Sequence, residues 1–288
     1  MHHLLASLRG TRPARLFAVT AATLVATLAV AVTGAVAFGH GVPAPPAHPT
    51  SADQIQNIDQ VKTAIKAYYG DTLSNITDPV SHSTDLHFAS PTSAYAKEMA
   101  GIEKDASHYL DRAVKKFGRH HNHGPQASET PAVVFDIDDT TLNTYSYEIY
   151  SNFVFNPTTN AAFVNSGVFP AVFGMPQLVS HAAADGYTVF FLTGRPISQL
   201  AGTKANLLSA GYPAVPDSQL YLKDTSAPWL ASCGGASCTT DQYKSLTRQH
   251  IESLGYDIVG NFGDQYSDLS FGFEDRAFKI PNPMYFLP

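Results

Sequence analysis

The chain has 288 residues, of which 44% are hydrophobic and 15% are charged, and its formal net charge is −6. This length suits one large domain or two small ones, and the composition excludes a disordered, collagen-like or coiled-coil protein. Because the charge balance is acidic and no block of Lys and Arg is present, the sequence argues against a partner that is a nucleic-acid polymer.

Residues 1–37 have the features of a secretory signal. Three arginines and no acid precede an uncharged run at 16–39, and Ala35 and Ala37 fit a cleavage site. The run is also long enough to span a bilayer if it stays uncut, but its content of Ala and Thr favours cleavage. Cleavage would remove the three arginines and change the net charge from −6 to −9. We expect the rest of the chain to be secreted, or else anchored to a membrane and facing away from the cytoplasm.

A Pro/Ala-rich linker is predicted at 38–51, ahead of the main domain at 52–288. The N-terminal part of this domain, 52–130, contains two stretches in which apolar residues recur at helical spacing, at 51–69 and 90–117. In the first stretch these residues are Ile55, Ile58, Val61, Ile65 and Tyr68. We expect the apolar faces of both helices to contact the core.

From residue 131 onward, short apolar runs alternate with helical patterns. Predicted strands lie at 132–137, 187–193, 219–223 and 257–263, and predicted helices lie at roughly 175–185, 197–210 and 241–254. This alternation indicates an α/β fold with a mostly parallel sheet, covered by helices on both faces.

The polar residues at the ends of these strands are the candidates for a functional site, because active sites of such sheets lie beyond the carboxyl ends of the strands. Helix N-termini share that edge. Six residues from four separate segments are predicted to meet there: Asp136, Asp138, Thr193, Lys244, Asp264 and Asp268.

The repulsion between carboxylates that cluster at the end of a strand is often offset by a bound divalent cation. Mg²⁺ prefers oxygen ligands and suits one or two carboxylates together with a substrate phosphate, and Asp136 and Asp264 are natural ligands. One carboxylate can attack phosphorus, and a second can protonate the leaving alcohol and later activate water. A hydroxyl and an ammonium group can hold the phosphoryl oxygens. These groups together suffice for the hydrolysis of a phosphomonoester.

Four motifs, DIDDTTL, LTGR, YKS…R and GDQYSDL, together resemble those of the haloacid dehalogenase superfamily. The closest resemblance is to its secreted acid phosphatase branch, which includes class B and class C acid phosphatases and plant vegetative storage proteins. It extends over roughly 85–288 and includes the closing FKIPNPMYFLP. The resemblance implies a three-layer Rossmann-like domain with helices on both faces, and we predict an N-terminal helical extension and a small lid.

The resemblance also implies roles for the aspartates. It makes Asp136 the nucleophile and a Mg²⁺ ligand, and Asp138 the general acid and base, with its backbone carbonyl as a further metal ligand. Asp264 matches the acidic metal ligand of the last motif, and Asp268 matches an acid that supports it. Asp139 is interpreted as a turn residue.

The phosphate site is implied by residues of the other motifs. Thr140 completes the first motif, and Thr193, followed by Gly194, matches the phosphate-binding hydroxyl. Lys244 matches the family lysine because it begins a helix directly before the last strand. Lys223 ends a strand and is the alternative, but a lysine at a helix N-terminus needs an anionic partner, which favours Lys244.

Substrate recognition is predicted for the segment 143–174, which is too short for a large cap domain but suits a lid. The segment is dense in aromatic residues, of which most are expected to pack the lid onto the domain. Tyr145 and Tyr147 lie closest in sequence to the nucleophile and are our candidates for substrate contact. Arg195 is either a substrate ligand or the partner of a nearby acid.

The two cysteines, Cys233 and Cys238, lie in the short sequence CGGASC. In an exported protein a disulfide between them is the expected arrangement. A metal site would need further soft ligands nearby, and the sequence shows none.

The function predicted from the sequence is that of a secreted, Mg²⁺-dependent acid phosphatase that forms an aspartyl-phosphate. Its partner would be a small phosphomonoester, such as a nucleotide or an aryl phosphate. One alternative is a storage or binding protein on the same fold. Such a protein would be distinguished by loss of the nucleophilic aspartate, but Asp136 is present here. Another is a phosphotransferase that passes the phosphoryl group to an alcohol.

Overall fold

The computed structural model describes residues 50–51, 57–120 and 129–287, which belong to one compact unit, Ala44–Pro288. The predicted signal segment, most of the linker and the start of the first predicted helix lie outside the described residues. Within the described part of the chain, no helix is long and apolar enough to cross a membrane.

Two helices and a small hairpin precede the main sheet. Helix α1 (Ile58–Tyr69) begins after Asn57, whose side chain accepts a hydrogen bond from the backbone of Asp59, and ends at Gly70 in the left-handed conformation. Strands β1 (Thr72–Leu73) and β2 (His87–Phe88) pair antiparallel, and helix α2 (Ala94–His120) follows. Both predicted helices are therefore present, whereas the hairpin was not predicted.

The prediction for the apolar face of α1 was only partly right. Ile65 is buried, and so is Tyr69, whereas Ile58 and Val61 are largely exposed. The buried residues of α1 thus lie in its C-terminal half, where Tyr68 and Tyr69 pack against Tyr95 of α2.

Five strands form a parallel sheet in the order β5-β4-β3-β6-β7. They are β3 (Thr130–Phe135), β4 (Thr188–Pro196), β5 (Leu220–Lys223), β6 (Tyr256–Gly263) and β7 (Ala277–Lys279). The first four confirm the predicted strands. Strand β7 was missed because it has three residues, of which only Phe278 is buried.

Helices cover both faces of the sheet. Helices α2 and α5 (Met175–Ala184) pack on one face and α7 (Thr240–Ser253) on the other. The other helices after β3 are α3 (Tyr145–Tyr150), α4 (Pro157–Ser166), α6 (Leu200–Ser209) and the short α8 (Tyr266–Leu269). Helices α5, α6 and α7 confirm the three predicted between the strands. A 3₁₀ turn at Ile197–Gln199 delays the start of α6 relative to the prediction.

Side chains of the central strand β3 alternate between two cores. Val133 and Phe135 face the larger core, which includes buried residues of α2 and α5. Ala132 and Val134 face the smaller core beneath α7. Since both faces of β3 are buried, its sequence is continuously apolar. The predicted three-layer α/β architecture is thereby confirmed.

Candidate active site

The carboxyl ends of β3, β4 and β6 surround a cavity of about 370 Å³. Asp136 follows β3 directly, Gly194 and Arg195 lie in the last residues of β4, and Asp264 follows β6. The residues that follow parallel strands all emerge at the same edge of the sheet, so residues more than a hundred positions apart are brought together. Seven of the predicted site residues line the cavity: Asp136, Asp138, Gly194, Arg195, Lys244, Asp264 and Asp268.

Lys244 is buried between two carboxylates. A capping box formed by Thr239 and Gln242 fixes the start of α7 and so places Lys244 in its second turn. Its Nζ forms ion pairs with Oδ1 of Asp136 and with Oδ1 of Asp268, the latter at 2.8 Å, and donates to the carbonyl of Leu192 at 2.8 Å.

The electrostatics of this contact favour a charged lysine. Burial by itself lowers the pKa of Lys244, but Asp136 and Asp268 outweigh burial and raise it. Lys223, the alternative considered from the sequence, lines the cavity wall, and its Nζ lies 5.8 Å from the centre of the Tyr243 ring. The lysine that contacts Asp136 is therefore Lys244.

Three buried carboxylates form a cluster. One oxygen from each of Asp136, Asp264 and Asp268 lies within 4.8 Å of the others. Burial, and then Asp268, raise the pKa of Asp136 well above its usual value, and the same two causes raise that of Asp264 to about 8. Lys244 offsets only part of this negative charge. The donor set, three carboxylates and no sulfur, is the type that a hard divalent cation prefers.

The two oxygens of Asp264 have different surroundings. Oδ2 accepts hydrogen bonds from the side-chain amides of Gln265 at 2.6 Å and Asn282 at 2.7 Å. Oδ1 has a single long contact, 3.4 Å from the hydroxyl of Thr140. Thr140 is fully buried and does not line the cavity, so its hydroxyl supports Asp264 in this structure.

Arg195 pairs with Asp138, which is one of the two roles left open by the sequence. Its Nε donates to both carboxylate oxygens at 3.1 and 3.0 Å, and its Nη2 donates to Oδ1 at 2.6 Å. A third nitrogen, Nη1, donates to the hydroxyl of Thr203 at 3.0 Å. The guanidinium is thus fixed at the cavity wall, next to the position predicted for the phosphate.

Asp139 is a turn residue, as predicted, with a positive φ of 55°. Its buried carboxylate accepts hydrogen bonds from the backbone and hydroxyl of Thr144 and from the hydroxyl of Tyr285 at 2.8 Å. Burial raises the pKa of Asp139 to about 7. Asp139 therefore holds the turn after β3 to the lid and to the C-terminal segment.

Thr193 and Gly194 end the buried part of β4. Thr193 is completely buried, and its hydroxyl accepts a hydrogen bond from the backbone N–H of Arg195 at 3.1 Å. Gly194 lines the cavity, whereas Thr193 lies behind it. Both residues lie at the predicted edge of the sheet, but only Gly194 reaches the cavity.

The prediction that Tyr145 and Tyr147 face the substrate was wrong. Both are buried: Tyr145 stacks on Tyr69 with ring centres 4.7 Å apart, and the hydroxyl of Tyr147 bonds the backbone of Asn156. The start of the predicted lid packs against α1 through Tyr145, and both tyrosines, which follow Asp136 closely in sequence, enter the core.

Comparison with known proteins identifies the family. The family model described as HAD superfamily, subfamily IIIB (Acid phosphatase), matches residues 87–288, which include every site residue described above. The chain belongs to this acid phosphatase family. The N-terminal helix α1 and the hairpin strand β1 lie outside the match.

Several curated plant proteins are similar to this acid phosphatase family member. Stem 28 kDa glycoprotein of Glycine max is 36% identical over 159 residues, which is 54% of this chain and 59% of the relative. Acid phosphatase 1 of Solanum lycopersicum is 34% identical over 158 residues, covering 54% and 58%. Vegetative storage protein 1 of Arabidopsis thaliana is 29% identical over 163 residues, covering 54% and 55%. The chain thus spans somewhat more than half the length of these relatives.

A solved structure supports the fold. The class C acid phosphatase from Bacillus anthracis with tungstate bound is 20% identical, with a TM-score of 0.50, over 66% of this chain and 81% of that one. At this identity the likeness concerns the fold alone.

Several residues that line the acid phosphatase cavity were not predicted. Phe153 and Phe155 of the lid form part of its wall, and so does Glu148 of α3. Burial, and then the charge of Asp138, raise the pKa of Glu148 to about 7. No helical pattern could indicate a cavity position for Glu148, because α3 has only six residues.

The C-terminal segment also reaches the cavity, through Tyr285, Phe286 and Leu287. The sequence of this segment indicated only a resemblance to the end of the family. Two prolines at 281 and 283 exclude regular structure there, and nothing in a local pattern reveals that the segment returns to the site.

The predicted disulfide between Cys233 and Cys238 is confirmed. It joins two short 3₁₀ turns that precede α7, the helix carrying Lys244. The described residues contain no free cysteine.

Proposed function

We propose that this chain is a secreted, Mg²⁺-dependent acid phosphatase that hydrolyses small phosphomonoesters through an aspartyl-phosphate. The observation that carries the proposal is the contact of the Lys244 ammonium with Asp136 and Asp268, beside Asp264, at the carboxyl edge of the sheet. A buried carboxylate that faces an open cavity and is held by a lysine is suited to be a nucleophile.

Mg²⁺ fits the donor set of this site. Asp136 and Asp264 would hold it, together with the backbone carbonyl of Asp138, and Asp268 would support Lys244 and the cluster. The excess of buried carboxylates over cations supports a divalent ion here. When bound, the ion would offset the negative charge of both the carboxylates and the phosphate.

In the first step, a carboxylate oxygen of Asp136 attacks the phosphorus of the ester. A bond forms between phosphorus and this oxygen, and the bond from phosphorus to the ester oxygen breaks. The departing oxygen takes a proton from the carboxyl group of Asp138 and leaves as a neutral alcohol. Lys244 and the backbone of Gly194 are proposed to hold the phosphoryl oxygens, and the buried hydroxyl of Thr193, which accepts from the N–H of Arg195, is proposed to fix the turn that presents Gly194.

In the second step, water hydrolyses the aspartyl-phosphate. Asp138, now a carboxylate, accepts a proton from the water as its oxygen bonds to phosphorus. The bond between phosphorus and the Asp136 oxygen breaks, which releases inorganic phosphate and restores both carboxyl groups. Arg195, which contacts both oxygens of Asp138, is proposed to fix its orientation in each step.

The aromatic residues of the predicted lid favour a small substrate with an apolar or aromatic leaving group. Phe153 and Phe155 lie on the lid side of the cavity, and Phe286 lies on the side of the C-terminal segment. Such surfaces can contact a nucleobase or an aryl group. Secretion is supported by the signal features of residues 1–37.

A storage function is the second candidate, because vegetative storage proteins and stem glycoproteins are among the similar proteins. Retention of Asp136 together with Lys244 and Asp264 favours catalysis over storage. A phosphotransferase would use the same site and differ only in the acceptor of the second step.

The test is a screen of nucleotides, sugar phosphates and aryl phosphates, with and without Mg²⁺, for the wild-type protein and Asp136→Asn. We expect wild-type turnover that a chelator abolishes and Mg²⁺ restores, and a phosphorylated protein after acid quenching. The variant should fold and show neither. Full activity of Asp136→Asn would exclude the aspartyl-phosphate, and added alcohol would reveal phosphotransfer as a phosphorylated alcohol.

A further inference from the structure

The C-terminal segment 280–287 contacts the loops that carry the candidate active site. Strand β7 runs parallel to β6, so the residues that follow β7 emerge at the same edge as Asp264. Three hydrogen bonds join the segment to these loops. Asn282 donates to Asp264, Tyr285 donates to Asp139, and the backbone N–H of Leu287 donates to the side-chain oxygen of Gln265 at 3.0 Å.

Asn282 is held at both ends of its side chain. Its Oδ1 accepts a hydrogen bond from the backbone N–H of Met284 at 2.8 Å, which leaves Nδ2 to donate to Asp264 at 2.7 Å. Pro281 and Pro283 flank it, and proline fixes its own φ and restricts the residue before it. The amide is therefore presented to Asp264 by a stiff backbone, with little conformational freedom left to lose.

This contact determines which oxygen of Asp264 is available. Oδ2 is occupied by the amides of Asn282 and Gln265, whereas Oδ1 has only the 3.4 Å contact with Thr140. Oδ1 is the oxygen left to complete the cluster with Asp136 and Asp268. Hydrogen bonds to the second oxygen of a ligating carboxylate orient the ligand, and their loss typically costs about 10–100-fold in metal affinity.

We infer that Asn282 is a positioning residue for the metal site: the C-terminal segment orients Asp264 for Mg²⁺ through Asn282. This inference rests on the proposed function, because it requires that Asp264 is a metal ligand. It adds to that function a C-terminal segment which lies outside the four motifs and which does not touch the reacting atoms.

The test is calorimetric titration of the full-length protein with Mg²⁺ alone, in the absence of substrate. Asn282→Ala removes the donor, and Asn282→Asp keeps the size and the acceptor for Met284 but places an oxygen against Asp264. We expect the Kd for Mg²⁺ to rise about 10–100-fold in the alanine variant and further in the aspartate variant.

Asn206→Ala is the matched control. Asn206 is buried, and its side-chain amide donates to the carbonyl of Phe169 at 2.6 Å, away from the metal cluster. The Asn206→Ala variant should have a lower unfolding temperature than the wild type but bind Mg²⁺ as tightly. Binding by Asn282→Ala within twofold of the wild type would overturn the inference and leave the proposed function intact. Absence of Mg²⁺ binding by the wild type would instead overturn the metal dependence of the proposed function.

Discussion

Arg195 donates to both carboxylate oxygens of Asp138 and buries its guanidinium in doing so, since only 5% of the residue is exposed. Substitution Arg195→Gln would leave Asp138 free to rotate away from the leaving group. Because hydrogen bonds to charged groups contribute about 1.5–3 kcal/mol, we expect kcat/KM for an aryl phosphate to fall roughly 10–100-fold. Steady-state kinetics at saturating Mg²⁺ would measure this loss.

The control for this substitution is Arg276→Gln. Arg276 is exposed, and its guanidinium lies over the rings of Tyr109 and Phe278, outside the cavity. Its kcat/KM should match the wild type. Equal losses in both variants would mean that a general change in charge, and not the contact with Asp138, lowers the rate.

The fold and the cluster of Asp136, Lys244 and Asp264 could be predicted because the relevant sequence signals are local. Buried strands have short apolar runs, and the residues directly after them must emerge at the carboxyl edge. Asp136 and Asp264 could therefore be assigned to one cluster without knowledge of the structure. Lys244 followed from the same reasoning, since a helix N-terminus shares that edge.

The positions of the lid tyrosines and of the C-terminal segment could not be predicted, because they depend on contacts between segments that are distant in sequence. Tyr145 enters the core because Tyr69 of α1 offers it a stacking partner, and nothing in the lid sequence encodes that contact. Asn282 and Tyr285 lie in an irregular segment whose path is set by the pairing of β7 with β6. Neither the contact of Tyr145 with Tyr69 nor the path of the C-terminal segment produces a periodic pattern in the sequence.

Glu148 is expected to make substrate binding depend on pH. Its pKa is raised to about 7 by burial and by the charge of Asp138. As pH rises through about 7, Glu148 gains a negative charge in the cavity wall, which repels the phosphate of the substrate. We expect KM to increase several-fold between roughly pH 6 and pH 8, and the Glu148→Gln variant to show a flatter profile.

The same group affects stability. In the folded protein Glu148 holds its proton to a higher pH than in the unfolded chain, where its pKa is near 4.5. Its contribution to the free energy of unfolding is therefore largest below the unfolded pKa and is lost as pH rises through about 7. In metal-free protein the loss should be on the order of 1–3 kcal/mol, and Glu148→Gln should lack it. Glu129→Gln, at the opposite end of β3, should retain both pH dependences; if it behaves like Glu148→Gln, the assignment to Glu148 fails.

The disulfide is expected to support stability more than activity. Cys233 and Cys238 are separated by five positions, so the bridge closes a small loop, for which the chain-entropy estimate is about 2 kcal/mol. Replacement of both residues by serine should lower the Tm by roughly 5 °C. Lys244 remains held by its own ion pairs, so kcat at 25 °C should change little. Reduction of the wild type should reproduce the lower Tm; if it does not, the serine side chains and not the lost bridge cause the change.

Gly263 is required by the packing of Asp268. A Cβ added at Gly263 would overlap the Cβ of Asp268 and lie 2.8 Å from its Oδ2. Asp268 would have to move, and its Oδ1 would leave Lys244, which it contacts at 2.8 Å. We expect Gly263→Ala to cost about 1–3 kcal/mol in unfolding free energy and roughly 10–100-fold in kcat/KM, because Lys244 loses one of its two carboxylate partners. Gly101→Ala is the control, because Gly101 lies in α2 with no atom within 4 Å of an added Cβ. That variant should gain about 0.5–1 kcal/mol from its higher helix propensity and keep wild-type kinetics. Wild-type kinetics in Gly263→Ala would show that Asp268 can be displaced without consequence for Lys244.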